Sequence, residues 1–342
     1  DPVKSSKIIN TAFLIVFISS LIISIFVMST SGVLSEAAFK TKNYWLVYFL
    51  FGLFTMVISF NVMFLAILNG LKEIRKFTIV NISSSLAGVG LTVIFAYTWG
   101  IEGVLISSTG TAIVIFCINI YFFNKLGIKW KPDLKSWDKP VVKMLSAFSL
   151  MAIVSGFVVP GMQILVRDRI INQFSIANAG YWQAVTKISD YYLGFITAVL
   201  GVYYMPRLSE LKNKKELRHE IVNGYKIILP VVGSIALLIW LFRDLIIHIL
   251  FTPAFLPMKP LFTYQLLGDF FKIGSWLLAY LMIAKALAKT FIITEILFAI
   301  SYVALSYFFM NRYGVIGATY SFCINYAIYW LFMWLLMRRE IR

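Results

Sequence analysis

The chain has 342 residues, of which 60% are hydrophobic and 13% charged, with a mean hydropathy of +0.85. A soluble domain runs nearer half apolar and a quarter charged, so this composition excludes a water-soluble enzyme and points to a membrane protein. The net charge of +16 would suggest nucleic-acid binding on a soluble chain. On an apolar one it is first explained by basic cytoplasmic loops, and no nucleic-acid partner is expected.

Crossing about 30 Å of hydrocarbon takes about 20 mostly apolar residues. Ten segments meet that test: 8–29, 44–69, 78–97, 103–123, 144–166, 177–206, 225–250, 259–284, 291–310 and 315–337. Lipid offers the backbone no hydrogen bonds, so each segment is expected to be a helix, giving an all-α, polytopic transmembrane bundle. The basic residues alternate in density along the chain. One set of loops holds Lys4 and Lys7; Lys72, Arg75 and Lys76; six lysines from Lys125 to Lys143; the run from Arg207 to Lys226; Lys285 and Lys289; and Arg338, Arg339 and Arg342. The opposite set holds only Lys40, Lys42, Arg167, Arg169, Arg243, Lys259 and Arg312. This bias predicts that both ends of the chain face the cytoplasm.

Two hairpins look alike. Gly100-Ile101-Glu102-Gly103 joins the third and fourth segments, and Gly314-Val315-Ile316-Gly317 joins the ninth and tenth, 214 residues further on. A basic residue and an aromatic lead into each pair, Lys76-Phe77 and Lys289 with Phe291. The recurrence suggests an internal repeat, although short glycine-rich turns also recur in unrelated hairpins. A stretch with six lysines and two prolines, residues 124–143, divides the chain. The expected domains are therefore an incomplete four-span bundle at 1–123, a basic cytoplasmic linker at 124–143 and a six-span bundle at 144–342. The unequal halves, with Asp1 in place of an initiator methionine, predict a twelve-span parent whose first two helices are absent here. Two like halves about a midplane site is a common transporter plan.

Ionisable groups deep in a span cost roughly 2.5–3.5 kcal/mol each on insertion scales, so each needs a reason. The sixth segment carries Lys187 and Asp190, and the eighth carries Asp269 and Lys272. Asp190 lies about 20 Å below Ala177 at 1.5 Å per residue, and Lys272 is as deep below Lys259. Each pair is spaced i,i+3 and shares a helix face. Either the pairs neutralise themselves within the bundle, or they line a polar cavity in which Lys187 or Lys272 meets a substrate anion. Arg167 and Arg169 flank Asp168 at the outer end of the fifth segment, as an interfacial anchor or as a rim that attracts phosphate or an acidic sugar. Tyr191 and Tyr192 lie too deep for the aromatic belt and are candidates for a sugar-stacking platform, with core packing as the alternative. His248 and Glu295 fall near segment ends and read as solvated.

Several chemistries are missing. There is no P-loop motif. The two histidines and the two cysteines, Cys117 and Cys323 in apolar runs, make no metal spacing or catalytic set. No metal, cofactor or enzymatic activity is expected, and the cysteines read as small core residues.

Three long runs carry a resemblance: GYWQAVTKISDYYLGFITAVLGVYYMPRLSEL from Gly180, YQLLGDFFKIGSWLLAYLMIAKA from Tyr264, and FSLMAIVSGFVVPGMQILVRD from Phe148. They resemble the Wzx-type flippases of lipid-linked oligosaccharides, those of the enterobacterial common antigen and of O-antigen included. The resemblance implies a MATE-like fold of twelve helices in two six-helix bundles, in the inner membrane. It implies movement of an undecaprenyl-pyrophosphate-linked glycan from the cytoplasmic to the periplasmic leaflet by alternating access. The lipid tail would stay in the bilayer between the halves, with a polymerase and a chain-length regulator of the glycan pathway as partners. The other readings are a cation-coupled small-molecule antiporter of the same fold, and a membrane glycan polymerase or assembly factor.

Overall fold

The computed structural model describes residues 2–125 and 138–341. Lys129, Lys131 and Lys135 of the expected linker, and Arg342, lie outside the described residues. The chain divides into two compact units, Asp1–Leu145 and Ser146–Arg342. Among the described residues there is no strand.

The first unit contains α1 (Pro2–Ser29), α2 (Ser31–Phe39), α3 (Trp45–Gly70) and α4 (Ile74–Lys125). At 1.5 Å per residue the 52 residues of α4 would span about 78 Å, far more than one bilayer crossing. Its backbone breaks at Gly100, with φ 59° and ψ −136°, between the two predicted segments. Residues 31–39, read as part of a loop, instead form the short α2, which Lys40 ends in the left-handed region at φ 57°. Lipid tails are as apolar as the side chains, so close contact and polar bonds must hold the helices together. Ser24 Oγ donates to Gly52 O at 2.7 Å, and Asn119 Nδ2 donates to Asn61 Oδ1 at 3.0 Å. Asn61 in turn donates to Ala112 O at 2.8 Å.

In the second unit, α5 (Lys139–Gln173) and α6 (Ile176–Val199) lead through a π turn at Leu200–Tyr204 into α7 (Met205–Glu210). The wide turn just precedes Pro206, whose ring would crowd an ordinary α turn. Then come α8 (Lys214–Leu241), α9 (Arg243–Leu250), a 3-10 turn at Pro253–Met258, α10 (Leu261–Ala284), α11 (Ala288–Tyr313) and α12 (Ile316–Ile341).

Several segment boundaries differ from the sequence reading. The fifth helix runs on from 166 to Gln173, so Arg167, Asp168 and Arg169 lie within it rather than at its end, and Pro160 sits inside it. It also begins at Lys139, which draws the last lysines of the expected linker into a helix. The seventh begins at Lys214, where the Asn213 side chain accepts from Lys215 N–H, and ends at Leu241. Residues 243–250 form the separate α9.

Among the described residues, eight helices are long and apolar enough to cross a membrane, with α4 counted once. α6, which carries Asn178, Gln183, Lys187 and Asp190, is not among them. α10 is the central helix, with 61% of its apolar window buried, whereas only 6% of the window of α5 is. Glycines bring α12 against α10. A Cβ on Gly268 would overlap the Phe322 ring, and one on Gly274 would come within 2.7 Å of the Trp330 ring.

Candidate functional site

α5, α6, α10, α11 and α12 enclose a cavity of about 410 Å³ within the second unit. Each helix contributes one face. α12 supplies Phe322, Asn325, Tyr326 and Tyr329, at spacings of three and four residues that keep them on one stripe. α11 does the same with Phe291, Glu295, Phe298 and Tyr302. Ser155, Met162 and Gln163 come from α5, Trp182 and Asp190 from α6, and Gln265, Lys272, Trp276 and Tyr280 from α10. The walls are thus largely aromatic, with a few polar groups set among them.

The two Lys–Asp pairs behave differently. Lys187 and Asp190 pair with each other at 3.4 Å, and both side chains are part-exposed. Asp190 lines the cavity, while Lys187 does not. Asp269 is fully buried and accepts from the Tyr192 hydroxyl at 2.9 Å and from Gln265 Nε2 at 3.4 Å. Neither bond comes from Lys272, so the ion pair that the i,i+3 spacing allows is not formed. Lys272 instead projects into the cavity, with Nζ 4.9 Å from the Trp276 ring centre and 5.7 Å from those of Phe322 and Tyr326. Among the described residues it enters no ion pair. Aromatic faces attract a cation by roughly 0.5–2 kcal/mol each, which offsets only part of the cost of holding an ammonium in a low-dielectric site.

The other expected site residues lie elsewhere. Arg167 stands on the exposed surface with Asp168 Oδ1 4.0 Å from its Nε. Arg169 donates to Asn311 Oδ1 at 2.8 Å and stacks over the Tyr307 ring at 4.9 Å, which makes it a clamp between α5 and α11. Tyr191 is 74% exposed on the outer face of α6. Tyr192 points the other way to hold Asp269. Adjacent residues on a helix are about 100° apart, so the two tyrosines cannot form one platform. The aromatic walls come from Trp182, Trp276, Tyr280, Tyr302, Tyr326 and Tyr329 instead.

Glu295 was missed. α11 begins at Ala288, three residues before the predicted start, so Glu295 lies about 10 Å inside the helix and lines the cavity. It accepts from Ser155 Oγ at 3.3 Å. Lys285 and Lys289, which mark the interface just before it, were the available signal. Asn325 was missed too; it is buried on the cavity wall and its Oδ1 has no partner. His248 is solvent-facing as read, with Nδ1 2.7 Å from Asp244 O. Cys117, read as a core residue, is exposed, and Cys323 is buried. Among the described residues no His, Cys, Asp and Glu cluster could hold a metal ion.

The family described as polysaccharide biosynthesis protein matches residues 3–260. The lipid III flippase of Escherichia coli (strain K12) is 30% identical over 331 residues, which cover 96% of this chain and 79% of the relative. A putative O-antigen transporter of Shigella flexneri is 22% identical over 336 residues, 94% of this chain and 78% of that one. Among solved structures, an outward-facing multidrug resistance MATE family transporter of the MOP superfamily aligns with a TM-score of 0.85 at 15% identity, over 98% of this chain and 78% of that chain. A MOP superfamily transporter from Pyrococcus furiosus aligns equally well, with a TM-score of 0.85 at 14% identity, over 98% and 78%. These identities show the fold, and the sequence relatives show the family: the chain belongs to the polysaccharide biosynthesis proteins of the flippase type, as a multi-pass membrane transport protein with a MATE-like helical fold rather than an enzyme.

Proposed function

We propose that the protein flips an undecaprenyl-pyrophosphate-linked oligosaccharide, a common-antigen or O-antigen repeat unit, from the cytoplasmic to the periplasmic leaflet of the bacterial inner membrane by alternating access. The observation that carries this reading is the unpaired Lys272 ammonium in an aromatic cavity. A pyrophosphate supplies a direct ionic partner for this cation, and sugar rings stack on faces such as those of Trp182 and Trp276. A volume of about 410 Å³ takes the charged end of such a head rather than the whole glycan. Relatives named lipid III flippase and O-antigen transporter support the substrate class. The charge bias of the loops supports cytoplasmic chain ends. A polymerase and a chain-length regulator would receive the flipped unit.

The test is complementation. The full-length protein is expressed in cells that lack their lipid-linked oligosaccharide flippases, and surface common antigen and O-antigen are probed separately. Restoration of one glycan, lost with Lys272→Ala, is the expected result. Neither glycan appearing, with the protein stable in the membrane, would remove the proposal. One observation favours a second reading: Glu295 brings into the cavity a carboxylate that forms no ion pair among the described residues, as a cation-coupled antiporter requires. In that case drug resistance, not surface glycan, would follow expression and would depend on Glu295.

A further inference from the structure

A second cavity, of about 570 Å³, lies along the seam between α5 and α11. α5 contributes Phe157, Gly161 and Leu165, one stripe at four-residue spacing. α11 contributes Ile296, Ile300 and Tyr307 along its facing stripe. Polar bridges close the seam at both ends. At one, Ser155 Oγ donates to Glu295 at 3.3 Å; at the other, Arg169 and Gln173 donate to Asn311 Oδ1 at 2.8 and 3.0 Å. The order of these bridges shows that α5 and α11 run parallel. The stretch of α5 between Ser155 and Arg169 measures about 21 Å at 1.5 Å per residue, and the side chains facing α11 along it are apolar.

The seam adjoins the cavity that holds Lys272. Val158, Met162 and Ala299 line both, so the wall between an apolar slot and a charged, aromatic chamber is one side chain thick. We propose that the α5–α11 seam seats the isoprenoid chain of the transported lipid while its anionic head occupies the cavity. This rests on the flippase reading above. The pairing of polarities is what selects the occupant. An ordinary membrane lipid keeps its head at the interface, whereas a chain in this slot lies beside a cavity that a cation, Lys272, lines from the inside of the second unit. Only an amphiphile whose head travels through the membrane interior satisfies both compartments at once. α5, the least buried of the candidate spans, is the helix best able to yield sideways as the chain enters.

The experiment compares binding of undecaprenyl pyrophosphate and farnesyl pyrophosphate to the full-length protein in phosphatidylethanolamine vesicles. The unmodified protein is expected to bind the long chain at least tenfold more tightly. Gly161→Leu with Ala304→Phe fills the slot; no atom lies within 4 Å of a Cβ at Gly161, so the substitution enters open space. In that variant the ratio of the two affinities is expected to fall close to one. A ratio that stays at its original value would overturn the proposal. As a second readout, a photoreactive phenylalanine analogue at position 304 is expected to label added undecaprenyl pyrophosphate. Labelling of phospholipid or of a protein that excess undecaprenyl pyrophosphate does not displace would also overturn it. Failure of the flippase reading looks different: neither pyrophosphate would then lose affinity on Lys272→Ala.

Discussion

Tyr192 on α6 donates its hydroxyl proton to Asp269 Oδ2 on α10 at 2.9 Å, so this carboxylate bonds across to α6 rather than to the lysine three residues along its own helix. The spacing of Asp269 and Lys272 permits an ion pair, but the tertiary partner wins. A fully buried carboxylate needs donors on its oxygens, and Tyr192 and Gln265 supply them. Lys272 thus enters no ion pair among the described residues and lies over aromatic rings, in a cavity that Asp190 and Glu295 also line.

Tyr192→Phe should destabilise the second unit. It strands a buried carboxylate oxygen, and hydrogen bonds to charged groups contribute roughly 1.5–3 kcal/mol. The thermal unfolding midpoint of the purified protein in detergent is expected to fall by several degrees. Lys272→Ala should change that midpoint less, because the Lys272 ammonium makes no direct ion pair among the described residues. An unchanged midpoint for Tyr192→Phe would mean that the bond is not holding Asp269.

Transport should separate the two midspan lysines. Lys187 is neutralised by Asp190 and does not line the cavity that holds Lys272. Lys187→Ala is expected to cost less than threefold in glycan export, and Lys272→Ala more than tenfold, about 1.4 kcal/mol or more at the affinity level. Lys272→Arg keeps the charge and should fall between them. Equal losses at 187 and 272 in a complementation assay would remove the special role of Lys272.

Outside the spans, Lys259 Nζ lies 2.7 Å from Asp244 Oδ2, and this hydrogen bond holds the Asp244 carboxyl below its ordinary value of 3.8, with Arg243 and His248 adding positive charge nearby. A carboxylate whose folded pKa is lowered contributes stability above the unfolded pKa and loses it as the pH falls through the folded one. Asp244→Asn should therefore lower the unfolding midpoint slightly at pH 7 and not at all well below pH 3.8. The pair is exposed, so the difference should also vanish at 1 M salt, where the screening length is about 3 Å. A difference that survives both conditions would have another origin.

The helical membrane fold and its family were legible in the sequence because apolar length and long matching runs are one-dimensional signals. Lys272 and Asp190 could be singled out for the same reason: each is a charge where lipid would tolerate none. What could not be read was which neighbour each charge finds. Spacing put Asp269 beside Lys272, but the bond to Tyr192 crosses from α10 to α6, and nothing local encodes it. Glu295 was misplaced by three residues of helix start, which moved a carboxylate from interface to cavity. Arg169 read as a rim for anions because it fell at the expected outer end of the fifth segment; Asn311, 142 residues away, takes it up. The aromatic walls were missed because Tyr302, Tyr326 and Tyr329 are ordinary membrane residues until five helices bring them to one place.

The hairpin repeat gives a prediction with an internal control. Gly100 and Gly314 both have positive φ, 59° and 70°. Three residues later, Gly103 and Gly317 each lie against the backbone of a phenylalanine eight positions earlier, Phe95 and Phe309. A Cβ at either would overlap the carbonyl of that phenylalanine, which belongs to the rigid helix wall and cannot swing away. Gly103→Ala and Gly317→Ala should each force the turn open at roughly 1–3 kcal/mol, the usual cost of overpacking. Gly100→Ala and Gly314→Ala meet no atom within 4 Å but carry the left-handed backbone penalty of about 1–2 kcal/mol. Gly70→Ala, in open space at ordinary φ, is the neutral comparison. Protease resistance of the five variants in membranes would rank them. Matching losses at 103 and 317 would show that both hairpins close by one device, as expected of duplicated halves, and a tolerant 103 beside an intolerant 317 would show that the likeness of the two turns is one of sequence alone.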